Sequence, residues 1–155
     1  MKVTKVSFRA AKERDITTLM KHMKDFHEFD HVEPFDNESA QAAIKKVVCD
    51  RTLGRVWLIE HSQETVVVGY LVMTLAYRLE YRGYYAFLDE LFICDGWRNQ
   101  GIGTSALVFL TRACTELGVR KLQLEVKADN PAATALYKKA GFIEQERNLF
   151  LQDFG

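Results

Sequence analysis

Trp97-Arg98-Asn99-Gln100-Gly101-Ile102-Gly103-Thr104 is the stretch on which the reading of this chain turns. It separates a run of strand character, Tyr85 to Ile93, from a helical repeat, Thr104 to Leu117. In that repeat Leu107, Leu110, Cys114 and Leu117 share a face, and Gly118 stands where a helix stop belongs. Two glycines one residue apart let successive backbone N–H groups turn toward one point, and the start of the helix adds partial positive charge there. A phosphate or pyrophosphate is the natural occupant of such a loop. Arg98 and the Thr104 hydroxyl add one charged donor and one neutral donor.

An ordinary glycine turn is the bland alternative, and two nucleotide loops compete with it. Gly101 to Ala106 satisfies G-x-G-x-x-G/A, and Glu125 follows at about the spacing a dinucleotide site uses. In that fold, however, the first glycine follows its strand almost directly, whereas Cys94 to Gln100 intervene here, and too little chain remains to complete a doubly wound sheet. A Walker A loop needs a lysine that this stretch lacks.

Outward from the loop, the periodicity gives the rest of the architecture. Val6 and Phe8 alternate in a short strand. A helix from Asp15 carries Leu19, Met23 and Phe26, Pro34 closes that region, and Ser39 can cap a second helix running to about Cys49. Val56 to Ile59, Val66 to Tyr77 and Tyr85 to Ile93 form an antiparallel meander. Leu122, Leu124 and Val126 alternate in a further strand, Asn130-Pro131 starts a last helix that Gly141 closes, and Phe142 to Asp153 can add one or two strands. The expectation is an α/β chain in the order β-α-α-β-β-β-α-β-α-β(β) with a mixed, mostly antiparallel sheet. It forms a single domain over residues 1–155, without repeat or linker.

Composition agrees and narrows the partners. A length of 155 residues with 48% hydrophobic and 27% charged residues is ordinary for a folded domain. Lys and Arg number 21, as do Asp and Glu, so no whole-molecule field draws the protein to nucleic acid or to an anionic membrane. Cys49, Cys94 and Cys114 are odd in number and unpatterned, as suits free thiols in a reducing compartment, and Met1 to Lys5 lacks the apolar core of a signal peptide. The longest apolar run, Val66 to Tyr77, is too short to cross a membrane. The expectation is a cytoplasmic protein.

With Phe87-Leu88-Asp89-Glu90-Leu91-Phe92-Ile93 before the loop and Asn130-Pro131-Ala132-Ala133-Thr134-Ala135-Leu136-Tyr137-Lys138-Lys139-Ala140-Gly141-Phe142 after it, Arg98-x-x-Gly101-x-Gly103 resembles the GNAT superfamily of acyl-CoA N-acyltransferases. The resemblance covers nearly the whole chain in element order and Phe87 to Phe142 in motif detail. It implies an acetyl-CoA-dependent N-acetyltransferase of the GNAT fold acting on a small-molecule or peptide amine, without a metal. It implies that Arg98, Asn99, Gln100, Gly101, Ile102, Gly103 and Thr104 hold the coenzyme A pyrophosphate. Main-chain groups of Phe92 and Ile93 then pair with the pantetheine arm. Asn130 bonds the cofactor arm, Ala133 leaves room for it, and Tyr137 stands beside the thioester sulfur.

Amine acylation asks for a neutral amine, fixed geometry, an oxyanion donor and an acid for the leaving thiolate. Holding both reactants in one cleft lowers the barrier by ~7–11 kcal/mol. Tyr137 is the candidate acid, and backbone N–H near Phe92 and Ile93 the candidate oxyanion donor. Asp89 and Glu90 are the candidate bases. As neighbours on a strand they point to opposite faces, so only one faces the cleft, and Asp89 is preferred because family members often carry a carboxylate there. Both can equally be surface charges.

His27-Glu28-Phe29-Asp30-His31 matches the H-E-x-x-H zinc-peptidase pattern, but no third ligand stands out. In the transferase reading His27, Phe29, His31 and Phe35 border the acceptor. Tyr77, Tyr81, Tyr84 and Tyr85, with Tyr77 foremost, floor that site or make a homodimer contact, unless they are simple cross-strand packing. A non-catalytic acyl-CoA-binding regulatory module on the same fold is the alternative function.

Overall fold

A computed structural model describes residues 3–30 and 34–155. Its elements in chain order are β1 (Val6–Ala10), α1 (Ile16–Asp30), α2 (Asn37–Cys49), β2 (Gly54–His61), β3 (Val67–Arg78), β4 (Gly83–Ile93), α3 (Ile102–Glu116), β5 (Lys121–Gln123) and α4 (Pro131–Lys139). Single 3-10 turns precede α1 at Glu13–Asp15 and follow β4 at Asp95–Trp97. The chain divides into two compact units, residues up to 125 and residues from 126 on.

In the first unit the strands form one open sheet in sequence order, antiparallel throughout except that β4 and β5 run parallel. The sheet is covered on both faces because its strands alternate between two sets of apolar side chains. Val56, Leu58, Tyr70, Val72 and Phe92 meet Ile16 and Leu19 of α1 and Ile44 of α2. On the opposite face Phe8 stacks on Phe109 of α3 at 4.4 Å, Trp57 meets the same ring edge-on at 5.3 Å, and Met73 lies 3.7 Å from Cys114. Leu107, Leu110 and Cys114 are buried on the helix face read from the sequence, and Gly118 ends α3 with φ +69.

Three sequence expectations change. Asp36 rather than Ser39 caps α2, its carboxylate accepting from the Glu38 N–H at 3.2 Å. The strand expected through Val126 stops at Gln123. No strand forms in residues 142–155, where Ile143, Leu149, Phe150, Leu151 and Phe154 are exposed. Alternation shows that a segment could present an apolar side, but a strand exists only where a neighbour completes its hydrogen-bond ladder. Among the described residues no helix is long and apolar enough to cross a membrane.

Candidate active site

The loop after β4 is built to expose backbone donors. The N–H groups of Trp97 and Arg98 are already used, by the carbonyls of Cys94 at 2.8 Å and Asp95 at 3.3 Å. The chain then reverses through Asn99 at φ +59 and Gly101 at φ +76, and Gly101 is the N-cap of α3 without any side-chain cap. The first N–H groups of a helix have no intrahelical partner, so the amides that follow Gly101 remain for an outside acceptor. The segment before β1 braces this turn. The Thr4 N–H donates to the Gln100 carbonyl at 3.1 Å, and the Thr4 hydroxyl donates to Gln100 Oε1 at 2.6 Å. A Cβ on Gly101 would lie 3.1 Å from a methyl of Val3, in a φ region that L side chains avoid.

Arg98 is tied inward rather than held out toward a phosphate. Its Nε donates to the Ile93 carbonyl at 2.9 Å, its Nη1 pairs with Asp95 at 3.1 Å, and its guanidinium carbon sits 4.2 Å from the centre of the Phe29 ring. The side chain therefore fixes the loop against the ends of β4 and α1, and the donors that the turn leaves open are backbone amides.

The outer edge of β4 opens toward the loop. β5 pairs with β4 only at Tyr85, Ala86 and Phe87, so from Leu88 to Ile93 that edge has no strand partner among the described residues. The Cys94 N–H donates to Val68 at 2.8 Å, and the Phe92 carbonyl lies so close to Gly69 that a Cβ there would collide with it. By alternation, Phe92 directs its main-chain groups into the β3 ladder and Ile93 directs its own outward. Of the two residues expected to meet a pantetheine arm, the geometry offers Ile93.

Asp89 and Glu90 do not sit on a regular strand. Val72 faces Glu90 and Met73 faces Leu88, which leaves Asp89 as the extra residue of a β-bulge. The bulge lets Leu88 stay opposite Met73 while Glu90 joins the Tyr70 side of the sheet, where the Tyr70 hydroxyl donates to Glu90 Oε2 at 2.8 Å. Tyr70 is fully buried, Glu90 is half-buried and Asp89 is exposed. Burial raises the Glu90 carboxyl above its ordinary range, with the Tyr70 hydrogen bond lowering it and the Asp89 charge raising it. Asp89 is raised by the protein around it.

Beside this edge lies an open cavity of about 320 Å³, lined by Asp25, Glu28, Phe29, Phe92, Cys94, Asp95 and Arg98. Below it, His22 is buried and its Nδ1 stands 3.4 Å from Cys94 Sγ. Burial lowers the His22 pKa and raises that of the Cys94 thiol, so both are neutral at neutral pH.

Of the expected acceptor contacts, Phe29 reaches this cavity. His27 instead packs edge-on against Phe35 at 5.3 Å. His31 lies outside the described residues. Tyr77 meets Tyr84 edge-on at 5.4 Å at the far end of the β3–β4 hairpin, about 17 Å along β3 from Val72, the residue opposite Glu90. Asp25 was missed, although Asp25, Glu28 and Phe29 follow the i, i+3, i+4 spacing of one helix face. Tyr70 gave no signal, since it reads as one more apolar strand position. Among the described residues no group of three or more His, Cys, Asp or Glu side chains could hold a metal.

In the second unit, Asn130 caps α4, its Oδ1 accepting from the Ala133 N–H at 3.1 Å. Ala133 and Tyr137 are one helical turn apart. The Tyr137 ring meets Phe142 at 5.7 Å, and burial raises the Tyr137 phenol above its ordinary pKa.

The model of the acetyltransferase (GNAT) family matches residues 17–142. The [ribosomal protein bS18]-alanine N-acetyltransferase of Escherichia coli K12 is 39% identical over 59 residues, 38% of this chain and 40% of that protein. The chain spans about two fifths of the length of the curated relatives it matches. An integron cassette protein, HFX_CASS3, from the mobile metagenome of Cole Harbour Salt Marsh superposes with a TM-score of 0.84 at 32% identity, over 96% of this chain and 90% of that one. A predicted acetyltransferase of Clostridium acetobutylicum, solved with acetyl-CoA, superposes with a TM-score of 0.80 at 18% identity over 96% of each chain, a likeness of fold.

Proposed function

We propose, for a chain that belongs to the GNAT acetyltransferase family, that this protein is an N-acetyltransferase. In this reading it moves an acetyl group from acetyl-CoA to an amine of a small molecule or peptide, with both reactants bound together. The observation that carries this reading is the outer edge of β4, without a strand partner from Leu88 to Ile93 among the described residues, leading through the glycine turn to a helix start without a side-chain cap. An extended amide-bearing arm that ends in a pyrophosphate matches both in turn. The backbone after Gly101 holds the pyrophosphate, and Ile93 offers its outward N–H to the arm, its carbonyl already accepting from Arg98. Bound acetyl-CoA supplies the reactive acetyl thioester.

The remaining chemistry falls to side chains. An alkyl amine arrives as an ammonium of pKa about 10.4 and must lose a proton before it attacks. Glu90 takes that proton, directly or through water. Its half-buried carboxylate has a hydrogen-bond donor on one oxygen, whereas exposed Asp89 has less to hold it in one place. This choice of Glu90 reverses the preference for Asp89 drawn from the motif. The carboxylates of Asp25 and Glu28 in the cavity favour a cationic acceptor at its mouth. The relative named for ribosomal protein alanine keeps peptide ends among the acceptors to try. Tyr137, in the family's tyrosine position, donates a proton to the departing thiolate.

The test is thiol release from acetyl-CoA against a panel of polyamines, amino acids, aminoglycosides and short peptides. Turnover on at least one amine is expected, with Glu90→Gln lowering kcat ~10²–10⁴-fold and Asp89→Asn changing it little. Coenzyme A binding without turnover on any acceptor would overturn the reading in favour of a binding module.

A further inference from the structure

Tyr70 belongs to the buried cluster that the sheet forms with α1 and α2. Its ring has no exposed surface and sits 6.0 Å from that of Phe92, within the cluster that includes Ile16, Leu19 and Val72. A phenylalanine would fill this space equally well and would need no hydrogen-bond partner. The phenol instead reaches Glu90 Oε2 at 2.8 Å, and the bulge at Asp89 is what turns Glu90 toward it.

The surroundings otherwise work against an ionised Glu90. Burial disfavours its charge, Asp89 beside it is a like charge, and Asp25 on α1 adds negative potential at Tyr70. Lys21 of α1 carries a positive charge felt at His22 and Cys94, but among the described residues no cation acts on Glu90 itself. His22 of α1 is neutral and bonded to Cys94, and Arg98 is already paired with Asp95 and the Ile93 carbonyl. A buried hydrogen bond to a charged acceptor is about twice as strong as one between neutral groups. We infer that Tyr70 is a positioning residue, whose buried hydroxyl keeps the Glu90 carboxylate in one orientation and in the deprotonated form that accepts the amine's proton. It acts through Glu90 and touches no reactant, and this assignment rests on Glu90 being the base.

The consequence has a sign. The Tyr70 bond stabilises the charged form, so its loss raises the Glu90 pKa, and the acid limb of the pH profile of kcat/KM moves to higher pH. The experiment compares the wild type with Tyr70→Phe and Glu90→Gln on whichever amine turns over, across pH 5–9, with the KM for acetyl-CoA measured in parallel. For Tyr70→Phe the acid limb should move up by about one pH unit, the size expected for one hydrogen bond to a charged group, while the acetyl-CoA KM stays within about twofold. A packing role alone would lower the folded fraction without moving the limb.

Should Tyr70→Phe fail to fold, site-specific replacement of Tyr70 by a ring-fluorinated tyrosine keeps the shape and makes the phenol a stronger donor, so the limb should move down. An unmoved limb in the folded variant, with Glu90→Gln inactive, overturns the role of Tyr70 and leaves Glu90 as base. Wild-type turnover by Glu90→Gln removes the base itself, and the inference with it.

Discussion

α3 and α4 both begin on sequences that announce a helix start, and they treat their first amides in opposite ways. At α4, Pro131 has no N–H to satisfy, and the Asn130 side chain accepts from Ala133 at 3.1 Å, so the helix closes its own end. At α3 the N-cap is a glycine at φ +76 with no side-chain acceptor, and the segment around Thr4 holds the turn in shape from outside. A helix start capped by its own side chain is a stability device. One held open by its neighbours leaves its first amides to an outside acceptor, which in the proposed function is an anion. In the proposed function the part of α3 is its open backbone, whereas Tyr137 is the side chain that the family motif assigns to α4.

The comparison can be broken in four places. The largest effect belongs to Tyr137→Phe, which should lower kcat by up to ~10²–10⁴-fold while leaving acetyl-CoA affinity near wild type by calorimetry. Turnover near wild type would strip α4 of its catalytic part. Next, Gly101→Val places a β-branched residue at a left-handed position against Val3, a strain of ~1–2 kcal/mol. The dissociation constant of acetyl-CoA should rise about tenfold or more, with kcat at saturation little changed. An unchanged constant would mean that the open start of α3 is no anion site.

Asn130→Ala should cost about 1 kcal/mol of helix stability, seen as a thermal midpoint about 2–4 °C lower. If instead the midpoint holds and the acetyl-CoA KM rises more than tenfold, Asn130 serves the cofactor arm, as the family motif implies, more than it serves the helix. The smallest effect is expected of Thr4→Val, which removes one hydroxyl hydrogen bond to Gln100 and should raise the acetyl-CoA KM about two- to tenfold at constant kcat. Thr4→Ser should restore it.

The strand, glycine loop and helix from Phe87 to Gly118 were legible because each rests on local chemistry, namely alternation, two glycines and a 3.6-residue apolar stripe. The start of α4 was legible for the same reason, since an N-cap and a proline act within one turn. The Asp89 and Glu90 pair was legible as chemistry but not as geometry. Simple alternation sends adjacent strand residues to opposite faces, and the register shift at Asp89 arises from the partner strand, where Met73 and Val72 hold their places against Leu88 and Glu90. The H-E-x-x-H segment shows the converse. A matching pattern on α1 placed Glu28 and Phe29 at a cavity and His27 against Phe35, because burial decides which side of a helix faces what.

Sequence by itself determined the fold class, the position of the glycine turn proposed to hold an anion and the short set of groups able to move protons, all consequences of residue type and near-neighbour spacing. Tertiary structure alone decided which of two adjacent carboxylates is half-buried and bonded, that Ile93 rather than Phe92 turns outward, that Arg98 points inward, and that residues 142–155 form no strand. The first two depend on β3, about twenty residues earlier, the third on the seating of Arg98 against Phe29 of α1, and hydrogen-bond ladders, burial and bulges exist only between segments once they meet.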